Sequence, residues 1–383
     1  MEGIMTLQNS IRETSIMTCF SILPDPRKSR NQVYPIFDII TVAVLGILCG
    51  ADDWVEIALW GESNHEWLKE CGIGLNGIPS HDTFSRFFRY VDSQAFEKCF
   101  VMWTQKISKV LGGVIALDGK TICNSKAADE AKAIHLVSAF SVQNNLVLGQ
   151  LATQAKSNEI TAFPILIEML DIKGATLTID AAGCQKSLAK KIRDKGGDYI
   201  LALKGNQTTL YEETNNFFEQ ALKVSAEEAD CNYYVMEEKS RNRTEKREVW
   251  ATSKLEWLPQ QREWSNLTSL ACVRSTRLVK GKETIELRYY ISSLESDAEK
   301  LGTAIRSHWS VENKLHWQLD VAYREDGCKV RKDNGAENFS IIRRATLNLL
   351  KADTKTKAGI KNKRSKAGWN KKYMMDILAG NVN

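Results

Sequence analysis

Residues 112–122 read GGVIALDGKTI, from Gly112 and Gly113 through Val114, Ile115, Ala116 and Leu117 to Asp118. This stretch decides how the chain is read. Upstream of it apolar residues recur at helical spacing, and downstream they come in short runs of strand length. The apolar run also ends on a carboxylate. A bare charge at the edge of a strand core is costly unless a partner or a cation meets it. Asp118 is therefore the first candidate functional residue.

Working downstream, HLVSAFSV (135–142) and LVLGQLAT (146–153) flank Gln143-Asn144-Asn145 and read as a β-hairpin. SNEITAFPILIEML (157–170) reads as a helix capped by Ser157 or Asn158. GATLTID (174–180) is another apolar strand ending on an acid, Asp180. QKSLAKKIRDKG (185–196) is a helix closed by glycine, DYILALK (198–204) a fifth strand, and a further helix begins near 207. This order predicts an α/β mixed sheet flanked by helices, with the first strand beside the strand that follows the crossover helix. Asp118 and Asp180 then converge. Two carboxylates a few Å apart repel strongly away from water unless a cation lies between them. Hard divalent ions suit such oxygen ligands.

Residues 295–350 begin with a long helix capped by Ser296 or Asp297, and HWSVENKLHW within it supplies a third acid, Glu312. His308, Glu312 and His316 fall on one helical stripe. The pattern is not H-E-x-x-H, so a zinc hydrolase is not indicated. Between the two halves of this α/β region, residues 225–294 read as a mainly β insertion.

Residues 1–110 read as an all-helical N-terminal module. The apolar run 39–51, IITVAVLGILCGA, is shorter than the roughly 20 residues that span a bilayer and reads as a buried helix. GLNGIPSHDTFSRFFRYVD (74–92) turns at Pro79 and restarts at the capping Ser80. The segment reads as a helix-turn-helix or as a plain helical hairpin. In the first case His81, Thr83, Ser85, Arg86 and Arg89 would face DNA.

The net charge of +5 is unevenly spread: residues 351–373 hold nine Lys or Arg against one Asp. Residues 351–383 are therefore expected to be a basic tail gripping a phosphate backbone. The nine cysteines are scattered, without a C-x-x-C pair, which fits reduced thiols in the cytoplasm. Cys184, just after Asp180, reads as packing. Lys204, at a strand end, and Lys120, two residues after Asp118, are candidate phosphate contacts.

The chain resembles the H-repeat-associated transposases, bacterial insertion-sequence enzymes with an Asp-Asp-Glu site on an RNase H-like core. The resemblance rests on GIPSHDTFSRFF (77–88), LDGKTI (117–122), HLVSAFS (135–141), KSNEITAFPILIEMLDIKGATLTIDAAGCQ (156–185), DYILALKGNQ (198–207), YYISSL (289–294) and HWSVENKLHWQLDVAYRED (308–326). It implies that Asp118, Asp180 and Glu312 are the catalytic and metal-binding acids. It further implies two Mg²⁺ (or Mn²⁺) ions and an RNase H-like fold for 111–224 and 295–350. The implied partners are double-stranded DNA, as element terminal repeats and target, with a homodimer on paired ends. The implied location is the bacterial nucleoid, away from membranes. The family's His-Gly-Arg-hydrophobic-Glu segment appears here as RNRTE, which keeps Glu245 and Arg243, the latter a candidate DNA contact. Related enzymes place an Arg and a Lys around the last acid where this chain has His308 and Leu319, so Arg306, Lys314 or His316 would supply the basic help. A nuclease without strand transfer, or an inactive DNA-binding protein, would share these residues.

Overall fold

The computed structural model describes residues 11–109, 112–125, 133–153, 159–240 and 243–381. Among the described residues six α-helices precede the first strand: α1 (Ser15–Phe20), α2 (Ile36–Leu48), α3 (Trp54–Ser63), α4 (His65–Glu70), α5 (His81–Tyr90) and α6 (Ser93–Ile107). Helix α2 is buried from Phe37 to Leu48, as an all-round apolar helix must be. Short polar side chains set the helix starts. Asp53 accepts from the Glu56 N–H at 2.9 Å and Asp92 from the Gln94 N–H at 2.8 Å.

The strands β1 (Gly113–Thr121), β2 (His135–Ser141) and β3 (Leu146–Thr153) follow, then helix α7 (Glu159–Met169). The expected caps Ser157 and Asn158 lie outside the described residues. Next come β4 (Ala175–Ile179), α8 (Lys186–Asp194), β5 (Asp198–Leu203) and α9 (Thr208–Ala221). Four long strands succeed them: β6 (Asn232–Ser240), β7 (Arg243–Thr252), β8 (Ser269–Val279) and β9 (Lys282–Ser292).

Among the described residues the strands form one nine-stranded sheet, in the order β3-β2-β1-β4-β5-β9-β8-β7-β6. β1, β4 and β5 run parallel to one another, and the remaining pairs are antiparallel. The predicted β insertion is thus continuous with the core sheet. β9 pairs with β5 through Ile200↔Ser292 to Leu203↔Tyr289, leaving no bare edge on β5.

Helices α7, α8 and α9 cover one face, burying Leu117, Leu177 and Leu201 with Phe163 and Leu188. On the other face, helix α10 (Ala298–His308) packs over Ile200, Val249 and Ala271. A π-helical turn (Glu312–His316) and α11 (Trp317–Tyr323) continue from it. Then come α12 (Gly335–Ala352), α13 (Ile360–Trp369) and α14 (Lys371–Ala379).

These last helices correct the expected tail. Ala367, Met374, Ile377 and Leu378 are buried in the same core as α2, α5, α6 and the β-strand residues Ala116, Phe140 and Val147. Lys363 and Arg364, counted among the tail's phosphate contacts, are buried too. The Arg364 guanidinium donates to the carbonyls of Ile47 and Ala51 and to Asp52, at 2.8–3.0 Å, and to the Ala322 carbonyl. The basic segment is a pair of helices that closes the N-terminal module, with Ile360, Lys363, Arg364 and Ala367 of α13 and Tyr373, Met374, Ile377 and Leu378 of α14 buried. No helix among the described residues is long and apolar enough to cross a membrane.

Candidate active site

Parallel pairing of β1 with β4 sets Leu117 against Ile179. Asp118 and Asp180 each follow directly, so both carboxylates leave the sheet at matching positions. Side chains alternate along a strand, so with Leu117 and Ile179 buried under α7, the two acids project to the α10 side. There they line a cavity of about 240 Å³ with Glu312, Lys204 and Trp309. The Asp118 carboxylate is largely enclosed, and its Oδ1 accepts the Gly119 N–H at 2.9 Å. Asp180 caps a 3₁₀ turn (Ala181–Gly183), accepting from the Ala182 N–H at 3.1 Å.

Burial pushes the Asp118 carboxyl up to about 7; the Gly119 N–H opposes that shift, and the charges of Asp180, Glu312 and Glu159 add to it. Asp180 is also raised, first by burial and then by Glu159, against the Ala182 and Gly183 N–H groups and Lys204. Both acids are thus raised by burial and by neighbouring carboxylates, in a site short of positive charge.

The third acid sits on the π-helical turn, where the Trp317 N–H reaches back to the Glu312 carbonyl. The extra residue in that turn breaks the simple stripe predicted for His308, Glu312 and His316. Glu312 is exposed at the cavity rim. His308 turns inward, with Nδ1 3.0 Å from the Thr178 hydroxyl, and burial lowers it to about 4. His316 places Nδ1 3.6 Å from Asp118 Oδ2. Burial, reinforced by the charges of Arg344 and Lys120, lowers His316 to about 3, so the ring is neutral. Its Nε2 is buried without a hydrogen-bond partner.

The donor set fits a divalent cation: two buried carboxylates raised by burial and neighbouring acids, a third at the rim, all lining one cavity. Among the described residues no three His, Cys, Asp or Glu side chains already stand in ion-holding geometry.

The expected basic contacts divide. Lys204 lines the cavity, and Lys314 and Arg86 are exposed. Lys120 is a correction: its side chain is 10% exposed and is paired with Asp320, with Glu325 at 3.3 Å and with Asp326 at 3.6 Å. Asp118 and Lys120 point to the same face, but Lys120 spends its charge on α11 and the following turn. Arg306 is held by both Glu238 oxygens at 3.0 Å. Arg243 pairs with Glu245, which also binds Arg247 and Arg277. Arg89 meets Asp333 at 2.7 Å. In α5, Phe84, Phe87 and Phe88 are buried, the Ser80 hydroxyl caps the Thr83 N–H, and His81 is exposed. Cys184 is buried and its thiol is pushed up to about 12, which suits packing.

Sequence reasoning missed Arg288, whose guanidinium lies 4.7 Å from the Trp309 ring centre at the cavity wall. It also missed Glu159, buried at the start of α7. Its signal was an acid at a helix N-terminus within a motif already carrying Asp180.

Comparison with known proteins places most of the chain within two described families. Residues 111–349 match the family described as "Transposase DDE domain", and residues 17–104 match "DDE_Tnp_1-associated". The "H repeat-associated putative transposase YhhI" of Escherichia coli K12 is 41% identical over 373 residues, covering 95% of this chain and 98% of that protein. The "Putative transposase YncI" of Escherichia coli O157:H7 is 42% identical over 375 residues, covering 95% and 94%. With the paired strand-end acids lying inside the matched region, the chain belongs to the DDE transposase family.

Proposed function

We propose that this protein is a DNA transposase that cleaves insertion-sequence ends and joins them to target DNA, on an RNase H-like core. Asp118, Asp180 and Glu312 would hold two Mg²⁺ or Mn²⁺ ions. When bound, the ions would activate a water or a DNA 3′-hydroxyl and stabilise the leaving oxygen of the phosphodiester. Asp118, whose carboxyl responds to the charges of both Asp180 and Glu312, would be the shared ligand. The neutral His316 ring supports the Asp118 carboxylate without competing for it as a cation. Lys204, exposed and lining the cavity, would meet a DNA phosphate approaching the acids, and the exposed Lys314 would offer a further contact. Arg86 offers a separate duplex contact from the N-terminal module. Action on paired ends calls for a homodimer.

The observation that carries this reading is the matched register of Asp118 and Asp180 on adjacent parallel strands. Incubating the purified protein with its own element's ends and Mg²⁺, with cleavage mapped to the base, tests it. Cleavage and end-joining that both vanish in Asp118→Asn are expected. Cleavage without joining would make the protein a nuclease. Binding of ends without either would make it an inactive DNA-binding protein.

A further inference from the structure

Beneath the acids, on the opposite face of the sheet, lies a polar chain, buried at Glu159 and His135 and reaching the exposed Thr121, that the proposed chemistry does not use. The Glu159 carboxylate, at the start of α7, meets His135 Nε2 at 2.5 Å, and His135 Nδ1 meets the Thr121 hydroxyl at 2.8 Å. Glu159 and His135 are both almost fully buried. His135 and Thr121 are direct cross-strand partners on β2 and β1. Thr121 and Gly119 point to the same face of β1, and a side chain at Gly119 would collide with both Glu159 Oε1 and His135 Nε2. The missing side chain lets the pair press against the peptide whose N–H donates to Asp118. Burying a carboxylate is costly, and here the cost falls directly under a site already crowded with negative charge.

We infer that Glu159, anchored by His135 and Thr121 in the space left by Gly119, is a positioning residue that increases the affinity of the Asp118–Asp180 pair for a divalent cation. It acts in two ways. It braces the Asp118–Gly119 peptide from below, and its charge acts on both acids, so that a cation between them relieves the repulsion of three carboxylates rather than two. Outer-shell partners of this kind typically change metal affinity by about 10-fold or more when removed. The inference rests on the metal-dependent reading of the acids proposed above.

The test is Mn²⁺ titration of the purified full-length protein by isothermal calorimetry, without DNA, alongside thermal melting in metal-free buffer. Glu159→Gln keeps the shape and a hydrogen bond to His135 but removes the charge. It is expected to weaken Mn²⁺ binding about 10-fold while melting cooperatively. Gly119→Ala keeps the Glu159 carboxylate but pushes it away from the Asp118–Gly119 peptide, and is expected to weaken Mn²⁺ in the same direction; it serves as the test should Glu159→Gln not fold. Mn²⁺ affinity within twofold of the unaltered protein in a cooperatively melting variant would overturn the inference. Asp118→Asn separates this failure from that of the site itself. If it abolishes Mn²⁺ binding while Glu159→Gln does not alter it, only the role of Glu159 falls. If it too leaves Mn²⁺ binding intact, the metal site has been misplaced.

Discussion

Arg364 tests whether the basic C-terminal segment is structural. Its guanidinium is 4% exposed, lies 4.1 Å from the Tyr323 ring centre, and serves three backbone carbonyls and Asp52. Arg364→Met keeps the length of the side chain and removes every donor. Each buried acceptor left without a partner costs about 1–3 kcal/mol. Breaking one side of a buried charge pair costs about 3–5 kcal/mol in total, and the larger figure applies where the carbonyls cannot find water. With an unfolding entropy of about 2.1 cal/mol/K per residue, cooperative melting of a chain this long falls by roughly 4–6 °C. Circular dichroism melting reads that shift, and fluorescence anisotropy on a random duplex over a salt series reads DNA contact. The expected result is a lowered melting temperature with an unchanged salt slope in the fraction that remains folded. Unchanged melting with a salt slope smaller by about one would refute the reasoning and return Arg364 to the DNA backbone.

Lys120→Met and Lys204→Ala should separate cleanly. The first strands Asp320 and Glu325 and lowers stability by about 3 kcal/mol; the second leaves melting unchanged and weakens binding of DNA ends, read by the same two assays. Glu325 is pushed up by burial, but Arg344, Lys120 and Arg343 outweigh this and hold it at about 2. A carboxyl held below its unfolded value adds stability that is full above about 4.5. That stability should fade as pH drops from there towards 2, and the fall should be shallower in Glu325→Gln when melting is followed against pH. Arg86→Ala should reduce duplex binding at constant stability, whereas Arg89→Ala, by releasing Asp333, should also loosen the turn after α11, read as faster amide exchange over 324–334. A loss confined to specific ends would make α5 a recognition helix, and an equal loss on random duplex would make its arginines phosphate contacts.

The change of period at residue 113, the two strand-end acids and the buried character of 39–51 were legible in the sequence alone. Each depends on local alternation or on a run of apolar residues, and local spacing is what a linear sequence displays. The pairing of β1 with β4 followed as well, since a helix crossover leaves few alternatives for parallel strands. Tertiary structure decided which charges are free. Lys120, Arg243, Arg306 and Arg364 read as cations available to DNA, yet each meets a carboxylate, and Glu325 and Asp52 lie far away in sequence from the Lys120 and Arg364 they hold. Tertiary structure also joined β9 to β5 and turned the helix at Glu312 through a π-turn. It set Glu159 and His135 beneath Gly119, on the opposite side of the sheet from Asp118 and Asp180. Charge in a sequence is counted residue by residue, whereas burial and partnership are properties of contacts made after the chain has folded, and those contacts decide whether a charge binds DNA, braces the site or closes the core.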